Sequence, residues 1–405
     1  MDSINQSVLN IGTLGHIDHG KTSLIKAITH VWTDRHSESL KRNMTIKLGY
    51  ADALIRKCPK CPEPQAFTTS DKCSVCGSIA EPLMRISLLD APGHETLMAT
   101  AIAGANVIDA ILFVIAANEP CPMQQTKEHL MIINILGIKD VIVIQTKIDI
   151  VGKENALKHY YQIKEFLKGS IIENAPIIPV MTNYGINIDV VLDHIAKIKI
   201  PERDITSAPL MYIVRSFDVN KPGIDAKDII GGVIGGAIIK GKFKVGDIIE
   251  IKPGIKPISK AKKEIYIPAV TKIVGLSNGD RQLSEALPGG LIGISTELDP
   301  VFTKADALVG NIVGLEGKLP PAVTSISFNY FNLKRKDIPE QQLKEGEPIV
   351  LGIGTATSVG FIKKIKKDII EVEFKKPVVA LSKAKVAVMQ NINQRWRLVG
   401  YGIVL

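Results

Sequence analysis

The chain has 405 residues, enough for two or three domains, each with its own core. With 45% hydrophobic and 22% charged residues it has the composition of a soluble globular protein. No apolar run reaches membrane-spanning length, and "MDSINQSVLN" lacks the basic and apolar regions of a leader, so the expected location is cytoplasmic, with no membrane partner.

In chain order, the apolar run "VLNIGTL" predicts a buried strand and "SLIKAITHV" a helix. Between them Gly15 to Thr22 fits GxxxxGK[ST], a phosphate loop. The chemistry asks for these residue types. Glycines let backbone N–H groups curl around an anion, and the following helix turns its positive end to the same place. Gly15 and Gly20 shape the loop, Lys21 reaches the β- and γ-phosphates, and Thr22 ligates Mg²⁺.

The segment "CPKCPEPQAFTTSDKCSVCG" places Cys58, Cys61, Cys73 and Cys76 as two CxxC pairs separated by eleven residues. Each pair can bite one metal from a tight turn, which gives a closed tetrahedral S₄ site suited to structural Zn²⁺. Cys121 stands alone and is assigned no role.

"RISLLD" predicts a strand ending at Asp90, which opens "DAPGH". A carboxylate there can hold Mg²⁺ through water, Gly93 lets the backbone approach a γ-phosphate, and His94 can position the attacking water. "DVIVIQT" predicts another strand, ending in "QTKID". Asp149 can accept two hydrogen bonds from the N1 and amino donors of guanine, a pattern adenine lacks, while Lys147 lays its stem along the base. With "AILFVIAA" and "APIIPVM" as further strands, and with "ETLMATAIAGAN", "MQQTKEHLMIINILG" and "ALKHYYQIKEFLKG" as helices, the first 206 residues predict an α/β domain on a doubly wound, mainly parallel sheet.

After "KIPERDITSAP" the pattern becomes short β-rich runs and glycine turns: "MYIVRSFDV", "GGVIGGAII", "DIIEIKPG", "AVTKIVGL". "GLEGKLPPAV" reads as a linker, followed by "EPIVLGIGTATSVGFIKKI", "IIEVEF" and "KAKVAVMQ". The expected organisation is a nucleotide domain at 1–206 with the knuckle at 58–76, a β-barrel at 207–320 and another at 321–405. Formal charges on the three are −1, +3 and +7, so the net +9 lies in the C-terminal half. Clusters such as "NLKRKD" and "FIKKIKKD" fit either a polyanion footprint or solvated lysine faces.

With the phosphate loop, "DAPGH" and "KID" in this order, the chain resembles translational GTPases of the elongation factor Tu type. The knuckle, "TIKLGYADA" and "SFDVNKPG" make it most similar to the gamma-subunit family of archaeal and eukaryotic translation initiation factor 2. That resemblance implies a P-loop GTPase domain followed by two barrels, binding GTP or GDP with Mg²⁺. It implies a GTP-dependent carrier of initiator methionyl-tRNA that assembles with an alpha and a beta subunit on the small ribosomal subunit and is switched off by hydrolysis. By motif, Asp18, His19, Gly20, Lys21, Thr22 and Ser23 line the phosphates, Thr45 joins Thr22 and Asp90 at Mg²⁺, and Ile17 and Met44 flank His94. Thr146, Lys147, Asp149, Met181 and Thr182 surround the base. Tyr50 is a candidate contact for the aminoacylated end of tRNA. The family usually has glycine at Asn43, which bears on switch 1 flexibility; asparagine at Thr146, so an amide contact bracing the base loop is lost or replaced; and a serine-alanine pair at Met181 and Thr182, where only a backbone N–H is needed and nucleotide binding is expected to survive. Two rivals share the plan. A sulfate-activating GTPase subunit is disfavoured by the knuckle and the basic third segment, and a selenocysteinyl-tRNA elongation factor would carry an additional C-terminal domain.

Overall fold

The computed structural model describes residues 4–33, 49–91, 107–221, 223–256, 265–333 and 342–405. They form two compact units, the first ending at Glu202 and the other beginning at Arg203.

The first unit is built on a seven-stranded sheet: β1 (Leu9–Leu14), β2 (Gly49–Lys57), β3 (Phe67–Thr68), β4 (Glu81–Asp90), β5 (Ala110–Ala116), β6 (Val141–Thr146) and β7 (Ile177–Pro179), in the spatial order β3-β2-β4-β1-β5-β6-β7. Strands β4, β1, β5, β6 and β7 run parallel, and β2 and β3 are antiparallel additions at one edge. Parallel strands are covered on both faces, which is why β1, β5 and β6 are buried at every position; β5 reads as an unbroken apolar run, while β1 and β6 bury Asn10, Thr13, Gln145 and Thr146 among their apolar residues. At the edge, β2 alternates instead: Ala51, Ala53 and Ile55 are buried and the residues between them are not. Four described helices accompany the sheet: α1 (Lys21–Thr29), α2 (Gln124–Leu136), α3 (Ile148–Leu167) and α4 (Ile188–Ala196). Helix α1 stops two residues short of its expected end, because His30 takes a left-handed conformation and returns its N–H to the Lys26 carbonyl. Helix α3 is broken at Gly152, whose φ of 75° is not helical, so a single turn after β6 precedes the helix expected around "ALKHYYQ".

The C-terminal unit holds two closed six-stranded barrels. Around the first run Ile248–Ile255, Ile312–Leu315, Leu210–Phe217, Val233–Lys240, Leu291–Thr296 and Ile267–Asn278, the last pairing back to the first. Around the other run Val323–Asn332, Ile369–Val378, Ala356–Lys366, Pro348–Ile353, Lys385–Ile392 and Arg395–Val404. Closure leaves no sheet edge, and each barrel keeps a separate apolar core, one around Met211, Phe243 and Ile251 and one around Phe328, Leu351 and Val388. The barrels touch: Thr355 Oγ1 donates to the Ile213 carbonyl at 2.8 Å, and the Tyr212 ring lies where a Cβ on Gly354 would fall 2.5 Å from Cε1. The segment expected to be a linker is fastened as well. Its first residues belong to strand Ile312–Leu315, Leu319 is buried over Gly314, and Lys252 Nζ donates to the Leu319 carbonyl at 3.4 Å.

Candidate functional site

The phosphate loop joins β1 to α1. Gly15 sits where any Cβ would come within 2.2 Å of the Val114 carbonyl oxygen, so only glycine lets the loop lie this close to β5. Gly20 caps α1 at φ 89°, with no side chain bonded to the helix end and no acidic residue in the first turn. Lys21, Thr22 and Ser23 open the helix, where backbone N–H groups have no acceptor one turn back, which suits an anion. Lys21 is buried, and its ammonium donates to the carbonyls of Gly15 at 2.9 Å and His16 at 2.8 Å. Burial pushes its pKa down to about 8, against the pull of Asp90 and Asp18. A phosphate would supply the counter-charge that the two carbonyls only partly replace.

His19 is buried and braces the loop, with Nδ1 3.1 Å from the Val114 carbonyl and Nε2 3.2 Å from Glu119. Burial, partly offset by those two contacts, lowers its pKa to about 4, so it is neutral at neutral pH. His129 of α2 is wholly buried with neither ring nitrogen hydrogen-bonded, and burial drives its pKa down to about 3. Asp18 is exposed at φ 58°.

Asp90 ends β4 with no exposure to water. Its Oδ2 accepts the hydroxyls of Thr22 at 2.6 Å and Thr33 at 2.8 Å, and Oδ1 faces the Thr13 hydroxyl at 3.4 Å. The two residues expected at Mg²⁺ are thus in direct contact. Thr13 and Thr33 carry no motif, and neither is legible in the sequence. The same holds for Glu119, inside the plain loop "AANEP".

The loops after β6 and β7 follow neighbouring parallel strands and lie at one edge of the sheet. Lys147 is left-handed at φ 58°, Asp149 is exposed in the first turn of α3, and Met181 and Thr182 enter a short 3₁₀ turn after β7. The two loops are tied by the Val180 N–H to the Gln145 carbonyl at 2.8 Å. Thr146, where the family usually has asparagine, keeps a bracing contact of its own. Its hydroxyl is buried and donates to the His19 carbonyl at 2.7 Å, so the base loop is fastened to the phosphate loop by a shorter side chain.

The four knuckle sulfurs all lie within 4.8 Å of one another, with Cys58 and Cys76 3.5 Å apart and Cys61 and Cys73 3.7 Å apart. A tetrahedron with Zn–S bonds of about 2.3 Å has edges of about 3.8 Å, so the donor set fits Zn²⁺ without a fifth position. The cysteines are not joined as disulfides. Hydrogen bonds from Ser78 lower the Cys76 thiol to about 6, while a hydrogen bond with Cys76 and burial push the Cys61 thiol up to about 12. The knuckle is tied to its base by Arg56 to Asp71 at 2.7 Å and by Glu63, which takes Lys57 at 2.7 Å and Lys197 at 3.1 Å.

Tyr50 follows Gly49 in β2, opposite Leu89, and is 40% exposed on the side away from the core. Asn43, Met44, Thr45, Gly93 and His94 lie outside the described residues. Cys121 is half-buried, and burial pushes its thiol up to about 12, the inert form.

Residues 6–201 match the family described as Elongation factor Tu GTP binding domain, and residues 325–404 match Initiation factor eIF2 gamma, C terminal. A protein from Methanococcus maripaludis named translation initiation factor 2 subunit gamma is 50% identical over the whole of both chains. Proteins of that name from Methanocaldococcus jannaschii and Pyrococcus horikoshii are 51% and 50% identical over 98% of each chain. The chain belongs to the translation initiation factor 2 gamma-subunit family. It is accordingly a GTPase of translation initiation, using GTP, GDP and Mg²⁺. The crystal structure of a bacterial selenocysteine-specific elongation factor superposes with a TM-score of 0.72 at 25% identity, over 98% of this chain and 58% of that one. The elongation factor SelB of Methanococcus maripaludis, in complex with a GTP analogue, also superposes at 0.72, over 100% of this chain and 79% of that one. At 23% identity that likeness to SelB speaks for the fold alone.

The Thr146 contact makes a prediction. Thr146→Val, which keeps shape and removes the hydroxyl, leaves the His19 carbonyl without this donor and should weaken GDP and GTP alike by about fivefold, the equivalent of about 1 kcal/mol. Thr146→Asn, which restores a donor, should bind close to the original. Titration with a fluorescent guanine nucleotide checks both.

Proposed function

We propose that the chain carries initiator methionyl-tRNA to the small ribosomal subunit as the core of a heterotrimer with an alpha and a beta subunit, holding tRNA in its GTP state and releasing it after hydrolysis. The observation that carries this reading is full-length identity of about half to gamma subunits, together with a phosphate loop whose Thr22 and Asp90 are joined at 2.6 Å.

In this reading Lys21 and the amides of Gly20 to Ser23 hold the phosphates, with Asp18 and His19 shaping the loop around them. Thr22 and Asp90, with Thr45 by motif, hold Mg²⁺, which when bound neutralises charge between the β- and γ-phosphates. Asp149 reads the N1 and amino donors of guanine, Lys147 and Thr146 brace the base, and the backbone at Met181 and Thr182 meets the guanine oxygen. Gly93 meets the γ-phosphate, and His94 orients the attacking water by motif. Cys58, Cys61, Cys73 and Cys76 hold Zn²⁺ as a structural ion, because four protein ligands leave no open position. Tyr50 contacts the aminoacylated end of tRNA. The exposed Lys364, Lys366, Lys367, Lys375, Lys383 and Lys385 of the last barrel supply phosphate contacts. No described helix is long and apolar enough to cross a membrane.

Filter binding of initiator methionyl-tRNA in the presence of a non-hydrolysable GTP analogue and of GDP tests the switch. Tighter binding with the analogue, weakening as salt rises, is expected. Equal affinity in both states contradicts the carrier reading. Purified protein should also contain one Zn²⁺ per chain, released by Cys76→Ser without loss of GDP binding, and protein prepared without chelator that lacks zinc would contradict the knuckle assignment.

A further inference from the structure

We propose that Thr33 is a positioning residue of the Mg²⁺ site: its hydroxyl occupies the place on Asp90 that a metal-bound water takes, and so sets how much Mg²⁺ the nucleotide requires. The inference rests on the reading of Thr22 and Asp90 as the Mg²⁺ pair.

The carboxylate of Asp90 is fully buried. A carboxylate oxygen offers about two lone-pair sites. Those of Oδ2 are filled among the described residues by Thr22 at 2.6 Å and Thr33 at 2.8 Å. On the other oxygen the Thr13 hydroxyl stands 3.4 Å away while also lying 3.2 Å from the Leu89 carbonyl. The two Oδ2 partners differ in what Mg²⁺ does to them. Thr22 can give its proton to Asp90 and its lone pair to the metal at once, so its bond survives loading. Mg²⁺ keeps several of its waters and holds them in near-ideal octahedral positions. A water that reaches Asp90 beside Thr22 needs the acceptor site that Thr33 fills, so the Thr33 hydroxyl has to yield.

The local chain holds Thr33 at this post. Thr29 Oγ1 donates to the Ile25 carbonyl at 2.8 Å and accepts the Val31 N–H at 3.1 Å, which fixes the stem leaving α1. Gly49 is in register with Asp90, and a Cβ there would stand 3.0 Å from Thr33 Cβ and 3.3 Å from Asp90 Cβ. The absence of a side chain at Gly49 is what leaves room for Thr33 against the carboxylate.

The test is the release of a fluorescent GDP as a function of Mg²⁺ concentration from the full chain, its Thr33→Val and Thr33→Ser variants, and Thr22→Ala. Thr33→Val should lower the half-saturating Mg²⁺ by about fivefold, the scale of one hydrogen bond to a charged group shared between two donors. Thr33→Ser, which keeps the hydroxyl, should match the original. The nucleotide-free, metal-free protein gives an independent readout: Thr33→Val should melt below Thr33→Ser, because Asp90 has lost a donor. An unchanged Mg²⁺ requirement in Thr33→Val, or equal melting of the two variants, overturns the proposal. A raised requirement makes Thr33 a metal ligand and overturns it too. If GDP release from the original chain ignores Mg²⁺, or Thr22→Ala retains its response, the Mg²⁺ reading itself fails and the proposal with it.

Discussion

One fully buried carboxylate organises the nucleotide half of this protein. Asp90 closes β4 and collects hydroxyls from three directions: Thr13 on β1, Thr22 at the head of α1 and Thr33 beyond its tail. An ionised group in that position is tolerable only if it is fully hydrogen-bonded or neutralised. Thr22 and Thr33 hydrogen-bond one of its oxygens, Thr13 stands more loosely beside the other, and the Lys21 ammonium lies near enough to have its pKa pulled upward by Asp90. The strand end, the phosphate loop and both ends of α1 are therefore held in register by one residue.

Around this point the remaining constraints are arranged in series. His19 fastens the phosphate loop to β5 through the Val114 carbonyl, and Thr146 fastens the base loop to the His19 carbonyl. Both bonds are buried, so both are expensive to break and neither competes with solvent. Threonine at 146 makes this linkage because its hydroxyl reaches the carbonyl. The buried His19 and His129 are neutral, with pKa values far below that of a free imidazole. The unfolded chain therefore binds more protons than the folded one from about pH 6.5 downward, and the stability of this half declines as the pH falls toward 4.

Much of this is legible in the sequence because the chemistry is local along the chain. The GxxxxGK[ST] run, the carboxylate at the end of "RISLLD" and the paired CxxC units each carry their geometry with them, and the buried parallel strands announce themselves as mainly apolar runs. What the sequence hides is set by tertiary contact. Thr33 and Glu119 act only because β4 and the phosphate loop come to them. Strand Arg395–Val404 carries two glycines, Gly400 and Gly402, which weaken its strand signal. Its glycines make room for rings instead, since a Cβ on Gly400 would lie 2.2 Å from Tyr330 and one on Gly402 2.3 Å from Phe328. "GLEGKLPPAV" has the proline and glycine content of a linker, yet Leu319 in its middle is core.

The most direct test of this account is the Mg²⁺ dependence of GDP affinity in Asp90→Asn, which keeps the size of the side chain and removes its charge. If the buried carboxylate is the pivot, calorimetry should find GDP binding that no longer tightens when Mg²⁺ is added, in a chain that still melts cooperatively. A variant whose GDP affinity still rises with Mg²⁺ as in the original chain would contradict it.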